Sequence, residues 1–165
     1  MKPGCKQKVL NKTLRLVATL LIDIPEWFIA YGTLLGITRN NSCVDKDDDV
    51  DILCNKTTME TIKEIFIRNG FKINVSSNAF LQFSHKDYCL IDFYCCNVMD
   101  GTYMDTHENV IWKNCYPLQE KKWKGVLLYL PKNKVLKLSK RYGKTWRMPK
   151  QSKGTRKHHS IVQTL

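Results

Sequence analysis

Between residues 6 and 22 the apolar side chains fall at Leu10, Leu14, Val17 and Leu21, a spacing that places them on one face of a helix. Pro25 closes that segment, because it has no amide hydrogen to continue the ladder. Residues 27–31 are apolar and aromatic and read as a buried strand running into a turn at Gly32-Thr33. A short helix over residues 34–38 follows, with its N-terminus facing the turn. Residues 50–54 read as a second strand. Thr57 and Glu60 have the spacing of a capping box, and the helix behind them buries Ile62, Ile65 and Phe66 before ending at Asn69-Gly70. Residues 71–75, 79–84 and 89–96 read as three strands separated by polar turns. Val135, Leu138 and Tyr142 share a face of a last helix that ends at Gly143. Helices and strands alternate early and strands cluster later, which predicts an α+β domain around a mixed sheet. Residues 1–150 are expected to form that domain. Residues 151–165 are expected to be a basic, disordered tail, since residues 151–159 show no apolar periodicity.

Against this pattern the run Asp45-Lys46-Asp47-Asp48-Asp49-Val50-Asp51 is anomalous. Alternate residues of a strand share a face, so Asp47, Asp49 and Asp51 would crowd like charges together unless a cation lies between them. A solvated acidic loop would explain the run but not an Asp51 set in an apolar strand. An EF-hand is excluded: counted from Asp45, Val50 stands where glycine is required and Lys56 where glutamate is required. A catalytic Mg2+ (or Mn2+) site needs a further carboxylate from a neighbouring strand, and Asp92, between Ile91 and Phe93, supplies one. Its plainer roles would be to cap a turn or pair with a lysine. The Gly32-Thr33 turn offers backbone N–H groups to a phosphate. These features predict a metal-dependent site for a phosphate-bearing substrate.

Charge sharpens the picture. The net charge is +12, and from Lys121 to Leu165 there are 14 Lys or Arg and no Asp or Glu. All of the excess basicity lies there, which suits a nucleotide, a phosphorylated glycan, nucleic acid or an acidic membrane, or else a solubilising tail. The seven cysteines show no paired CxxC spacing and several sit in apolar runs, so most are expected as reduced core residues. His85, Cys89, His107 and Cys115 do not have the spacing of a zinc motif. No apolar run is long enough to span a bilayer and the N-terminus lacks a signal-peptide layout, so a cytoplasmic location is expected.

Taken together, Tyr31-Gly32-Thr33-Leu34-Leu35-Gly36, Arg39, Asp47-Asp48-Asp49-Val50-Asp51-Ile52 and Ile91-Asp92-Phe93 resemble the LicD family. Tyr129-Leu130-Pro131, Arg141-Tyr142-Gly143, Trp146 and Pro149 resemble its closing pattern. That family includes bacterial phosphocholine transferases and is related to fukutin and fukutin-related protein. The resemblance spans residues 10–149 and implies a nucleotidyltransferase-like mixed β-sheet flanked by helices. It also implies transfer of a phospho-alcohol, such as phosphocholine or ribitol phosphate, from a CDP-activated donor to a hydroxyl of a glycan or glycoconjugate. Carried onto this chain, Gly32 and Thr33 hold donor phosphates, and Asp49 and Asp51 are paired metal ligands. By the same resemblance Asp47 is an additional ligand or a group supporting them from behind, and Asp92 is the third carboxylate, positioned to bind metal or to accept the acceptor hydroxyl's proton. Arg39 is a candidate donor contact, and Arg141, with Lys144 and Arg147, a candidate contact for a phosphate or an anionic acceptor. Asp45-Lys46 stands where many members have Pro-Trp, and the chain is shorter than many of them. Two other readings share the same core. One is a nucleotidyltransferase acting on nucleic acid or protein through the basic C-terminal block, and the other a non-catalytic nucleotide-binding relative.

Overall fold

The computed structural model describes residues 4–149 and 161–165. The first apolar stripe forms helix α1 (Gln7–Leu20), whose Leu10, Leu14 and Val17 are fully buried, as is Leu21 just beyond it. It packs on β5 (Tyr88–Met99), the long strand around which the sheet is organised. Strand β1 (Phe28–Ile29) pairs antiparallel with β2 (Asp49–Asn55), and β2 pairs in parallel with the first half of β5. The hairpin of β3 (Lys72–Ser76) and β4 (Phe80–His85) adds to β5 through β4. From the second half of β5 the sheet continues antiparallel through β6 (Thr102–Asp105) and β7 (Val110–Trp112). Helices α2 (Tyr31–Asn40), α3 (Met59–Arg68) and α4 (Lys134–Tyr142) complete an α+β domain with a mixed sheet. A separate hairpin, β8 (Gln119–Trp123) with β9 (Val126–Leu130), leans on α1 and β1, where Tyr129 meets Trp27 edge-on at 5.2 Å. No helix among the described residues is long and apolar enough to cross a membrane.

Several elements differ from the sequence reading. The strand expected over 27–31 is two residues long, and α2 begins at Tyr31, so Gly32 and Thr33 lie in its first turn. The capping box does not form. Asn55 caps a 3₁₀ turn (Lys56–Thr58) by accepting Thr57 N–H at 3.1 Å, and Thr58, already helical, leads into α3 without a side-chain cap. A turn of 3₁₀ ahead of the helix moves the orphan amides away from Thr57. Strands β6 to β9 are additional to those that the apolar pattern predicts. The end of the expected tail contributes β10 (Gln163–Thr164), parallel to β7, with Leu165 buried; residues 151–159 lie outside the described residues. Cys5 and Cys89 are joined in a disulfide rather than reduced, whereas Cys43, Cys54, Cys95, Cys96 and Cys115 are buried thiols.

Candidate active site

Parallel pairing of β2 and β5 sets Asp51 directly opposite Asp92, while Asp49, two residues earlier, lies on the same face as Asp51. One ligand atom from each of the three carboxylates falls within 4.8 Å of the others. Asp51 and Asp92 are each only 5 % exposed. Asp47 does not join the strand but sits in the loop before it, close enough for its charge to be felt at Asp49 and Asp51.

The N-terminus of α2 is set against these carboxylates. Tyr31 takes a left-handed backbone (φ 46°), unfavourable for a bulky residue by about 1 kcal/mol or more. Its side chain is over-determined. The hydroxyl donates to Asp105 Oδ2 at 2.5 Å and receives Trp112 Nε1–H at 3.4 Å, and the ring meets Tyr94 and Trp112 edge-on. This entry starts the helix at once, with Gly32 so near the Asp47 carboxylate that a Cβ would lie 2.5 Å from Oδ2. No side chain caps the helix; Thr33 Oγ1 instead accepts the Asp51 amide at 2.8 Å, fixing helix to strand. The positive end of α2 therefore lies beside the carboxylates, where orphan amides suit an anionic group.

Each buried carboxylate has an orienting neighbour that sequence reasoning missed. Tyr94 donates its hydroxyl to Asp51 Oδ1 at 3.2 Å. Gln82 Nε2 donates to Asp92 Oδ1 at 2.9 Å, and behind it Asn74 Nδ2 donates to Gln82 Oε1 (3.5 Å) and Ser84 Oγ to Asn74 Oδ1 (2.8 Å). All three bonds run toward Asp92, so the relay across β3, β4 and β5 presents an N–H to the carboxylate and not a carbonyl. The only hint in the sequence is that Gln82 interrupts the apolar run of Phe80, Leu81 and Phe83 at the start of β4. Beside Tyr94, His107 stacks on Phe80 at 3.9 Å and 6°, and the neighbouring Glu108 adds its charge at Asp92. Arg141 lies 4.9 Å over the Tyr31 ring, 3.9 Å from Glu108, and donates to Gln163 Oε1 at 2.7 Å. Gln163, from β10, thus reaches the rim of the site. Arg39 is not brought there. It sits six residues beyond Thr33, about 9 Å along the helix axis, and donates to Trp146 O at 3.4 Å.

Burial and mutual repulsion dominate the electrostatics. Burial, then contact with Asp92, pushes Asp49 up to about 9 from an ordinary 3.8. Burial and the neighbouring Asp49 also hold Asp51 well above its ordinary value. Asp92 is raised to about 6, mainly by burial, with hydrogen bonds from Asp49 and Gln82 pulling the other way. Among the described residues no Lys or Arg pairs with any of the three. Three hard oxygen donors without a resident positive side chain fit a divalent cation such as Mg2+ or Mn2+. A pH dependence follows. These carboxyls hold protons in the folded state that the unfolded chain releases near pH 4, so without metal stability falls as pH rises from about 4 to about 9. Melting in EDTA should show this decline, Asp49→Asn should flatten it, and added Mn2+ should raise the melting temperature most at the alkaline end. A metal-free melting temperature that rises through this window in the wild type and in Asp49→Asn alike would contradict it.

Residues 25–149 match the family model described as "LicD/FKTN/FKRP, nucleotidyltransferase domain". The chain belongs to this LicD family. Solved structures agree on the fold. The lincomycin-bound lincosamide antibiotic adenylyltransferase LnuA superposes with a TM-score of 0.62 at 15% identity, covering 83% of this chain and 86% of its own. The antibiotic-resistance factor ANT(2'')-Ia gives 0.59 at 13% identity, covering 76% and 66%. A putative nucleotidyltransferase from Thermotoga maritima gives 0.51 at 15% identity, covering 80% and 83%. No curated protein sequence matches the chain significantly. This LicD-family chain therefore has a nucleotidyltransferase fold, and membership with fold together support a transferase.

Proposed function

We propose that the chain transfers a phospho-alcohol from a CDP-activated donor to a hydroxyl of a glycan or glycoconjugate. The observation that carries this reading is the Asp51–Asp92 register with Asp49 beside it, placed at the N-terminus of α2 in a LicD-family domain. Asp49, Asp51 and Asp92, with Asp47 alongside, would hold a divalent cation, which supplies neutralisation of the diphosphate. The first-turn amides of α2 at Gly32 and Thr33 bind donor phosphate, and Arg141 adds a cation at the rim. The acceptor hydroxyl oxygen bonds to the phosphorus that carries the alcohol, and the bond from that phosphorus to the bridging oxygen breaks. CMP leaves with the electron pair, and Asp92 accepts the hydroxyl proton. Alignment of the reactants supplies most of the acceleration.

The test is a melting panel of nucleotides and CDP-alcohols with and without Mg2+, followed by product mass. A ligand that binds only the folded state raises the melting temperature. A Mg2+-dependent rise with CDP or a CDP-alcohol that is lost in Asp49→Ala supports the reading, and no rise with any cytidine nucleotide refutes it. Product mass then separates the chemistries, because the fold neighbour LnuA is an adenylyltransferase. An acceptor that gains a nucleotidyl group in place of a phospho-alcohol would assign nucleotidyl transfer instead.

Gln82→Leu should lower metal affinity and turnover by about 10- to 100-fold, the usual cost of losing a partner that orients a ligand. Gln82→Glu, which places a fourth carboxylate against Asp92, should be worse. Isothermal titration with Mn2+ reads this directly, and unchanged affinity in both variants would deny the relay any part in orienting Asp92.

A further inference from the structure

The last quarter of the chain combines two properties that rarely coincide by accident. It holds 14 Lys or Arg and no acidic residue from Lys121 onward. It also holds Val135, Leu136, Met148, Ile161 and Val162, five of the eleven large apolar side chains exposed among the described residues. A basic surface meant only for solvation has no use for such a set.

Helix α4 shows how the two are arranged. Lys137 and Leu138 are buried, and Arg141 turns inward onto the Tyr31 ring. At 100° per residue, Leu136 and Ser139 point away from that side, while Val135, only about 60° round from Leu138, lies at the margin of the buried face and is still 43% exposed. Together with Lys144, Trp146 and Arg147, Val135, Leu136 and Ser139 line an open groove of about 560 Å³. Leu136 is 55% and Met148 65% exposed. The Arg147 guanidinium lies 4.2 Å over the Trp146 ring, so the cation rests at the mouth of an apolar floor.

Charge alone would admit nucleic acid or an anionic bilayer. A single-strand binding surface presents aromatic rings on which bases stack, but Trp123 and Trp146 are only 2% and 4% exposed. What this face presents between its cations is aliphatic, the composition of a surface that rests at a membrane interface. We propose that the outward face of α4, with residues 144–148, docks on an anionic phospholipid surface. The lysines and arginines meet headgroup charges, while Val135, Leu136 and Met148 enter the boundary between headgroups and acyl chains.

Co-sedimentation with phosphatidylcholine vesicles, with and without phosphatidylserine, tests this on the unmodified protein. Binding is expected only with phosphatidylserine and should weaken as salt rises. Leu136→Asp and Met148→Asp should each lower vesicle affinity about tenfold, the worth of one aliphatic side chain leaving water. Both sites are exposed, and melting curves check that the variants fold. The milder Leu136→Ser and quenching of wild-type tryptophan fluorescence by brominated acyl chains read insertion independently. Four outcomes overturn the proposal. These are no binding to either vesicle, binding to RNA but not to vesicles, salt-sensitive binding that all three substitutions leave intact, and binding without quenching. None of these measurements involves nucleotide or metal, so their result stands apart from the assignment of the acidic site.

Discussion

Asp51→Asn should abolish metal-dependent transfer and yet, in EDTA, give a protein that melts above the wild type. Asp51 is almost fully buried among carboxylates, and no Lys or Arg among the described residues offsets it. Asparagine keeps the shape and an oxygen for the Tyr94 hydroxyl, and the bond from the residue-51 amide to Thr33 is untouched. What is lost is a buried carboxyl that the folded state must either keep protonated at neutral pH or hold charged beside its neighbours, and its relief should stabilise by roughly 1–3 kcal/mol. In a domain of this size that is a rise of a few degrees. Activity should fall by more than ~100-fold, beyond the usual cost of losing an orienting partner of a ligand. With saturating Mn2+ the order should reverse, because only the wild type gains from binding. A variant less stable than wild type in EDTA would make Asp51 a structural carboxylate, and retained turnover would remove it from the chemistry.

The two glycines of α2 should fail in different ways. A Cβ on Gly36 would lie 2.5 Å from Ser42 O and 2.8 Å from Val44 N, both backbone atoms of the loop that leads to β2. Gly36→Ala must therefore move the loop or the helix, at about 1–3 kcal/mol or more, and should lower the melting temperature clearly. At Gly32 the obstacle is a side chain, Asp47 Oδ2 at 2.5 Å, with Asp51 Oδ2 at 3.7 Å. Gly32→Ala should leave the fold nearly intact, displace Asp47, and weaken metal and nucleotide binding. Paired melting and Mn2+ titration of the two variants distinguish these effects. Equal loss of stability in both would show that Gly32 is needed for packing and not for the site.

Much of this was legible in the chain because strong patterns coincided with strong physics. Asp92 within an apolar strand and Asp51 within another could be tolerated only together, and their pairing across β2 and β5 follows the period-two reading of each. The stripe of α1 was equally plain. What escaped depended on partners remote in sequence. Gln82 looks like any polar residue on a half-exposed strand until β4 is laid beside β5. Tyr31 reads as the end of a strand, and only contacts with Asp105, Trp112 and Arg141 show why it opens a helix. The hairpins around Asp100-Gly101 and Lys124-Gly125 carried a readable signal, since consecutive positive φ values favour such pairs. Gln163 had none, being separated from Arg141 by a long polar stretch without periodicity.

The bond between the Asp51 amide and the Thr33 hydroxyl has a further use. Most amides in a sheet are protected from solvent hydrogen exchange by a carbonyl of the next strand, so they report on strand separation. This one is held by a side chain of α2, so its exchange reports how often the helix lifts from the carboxylates. It offers a residue-specific clock for opening at the heart of the site, readable without substrate, metal or turnover.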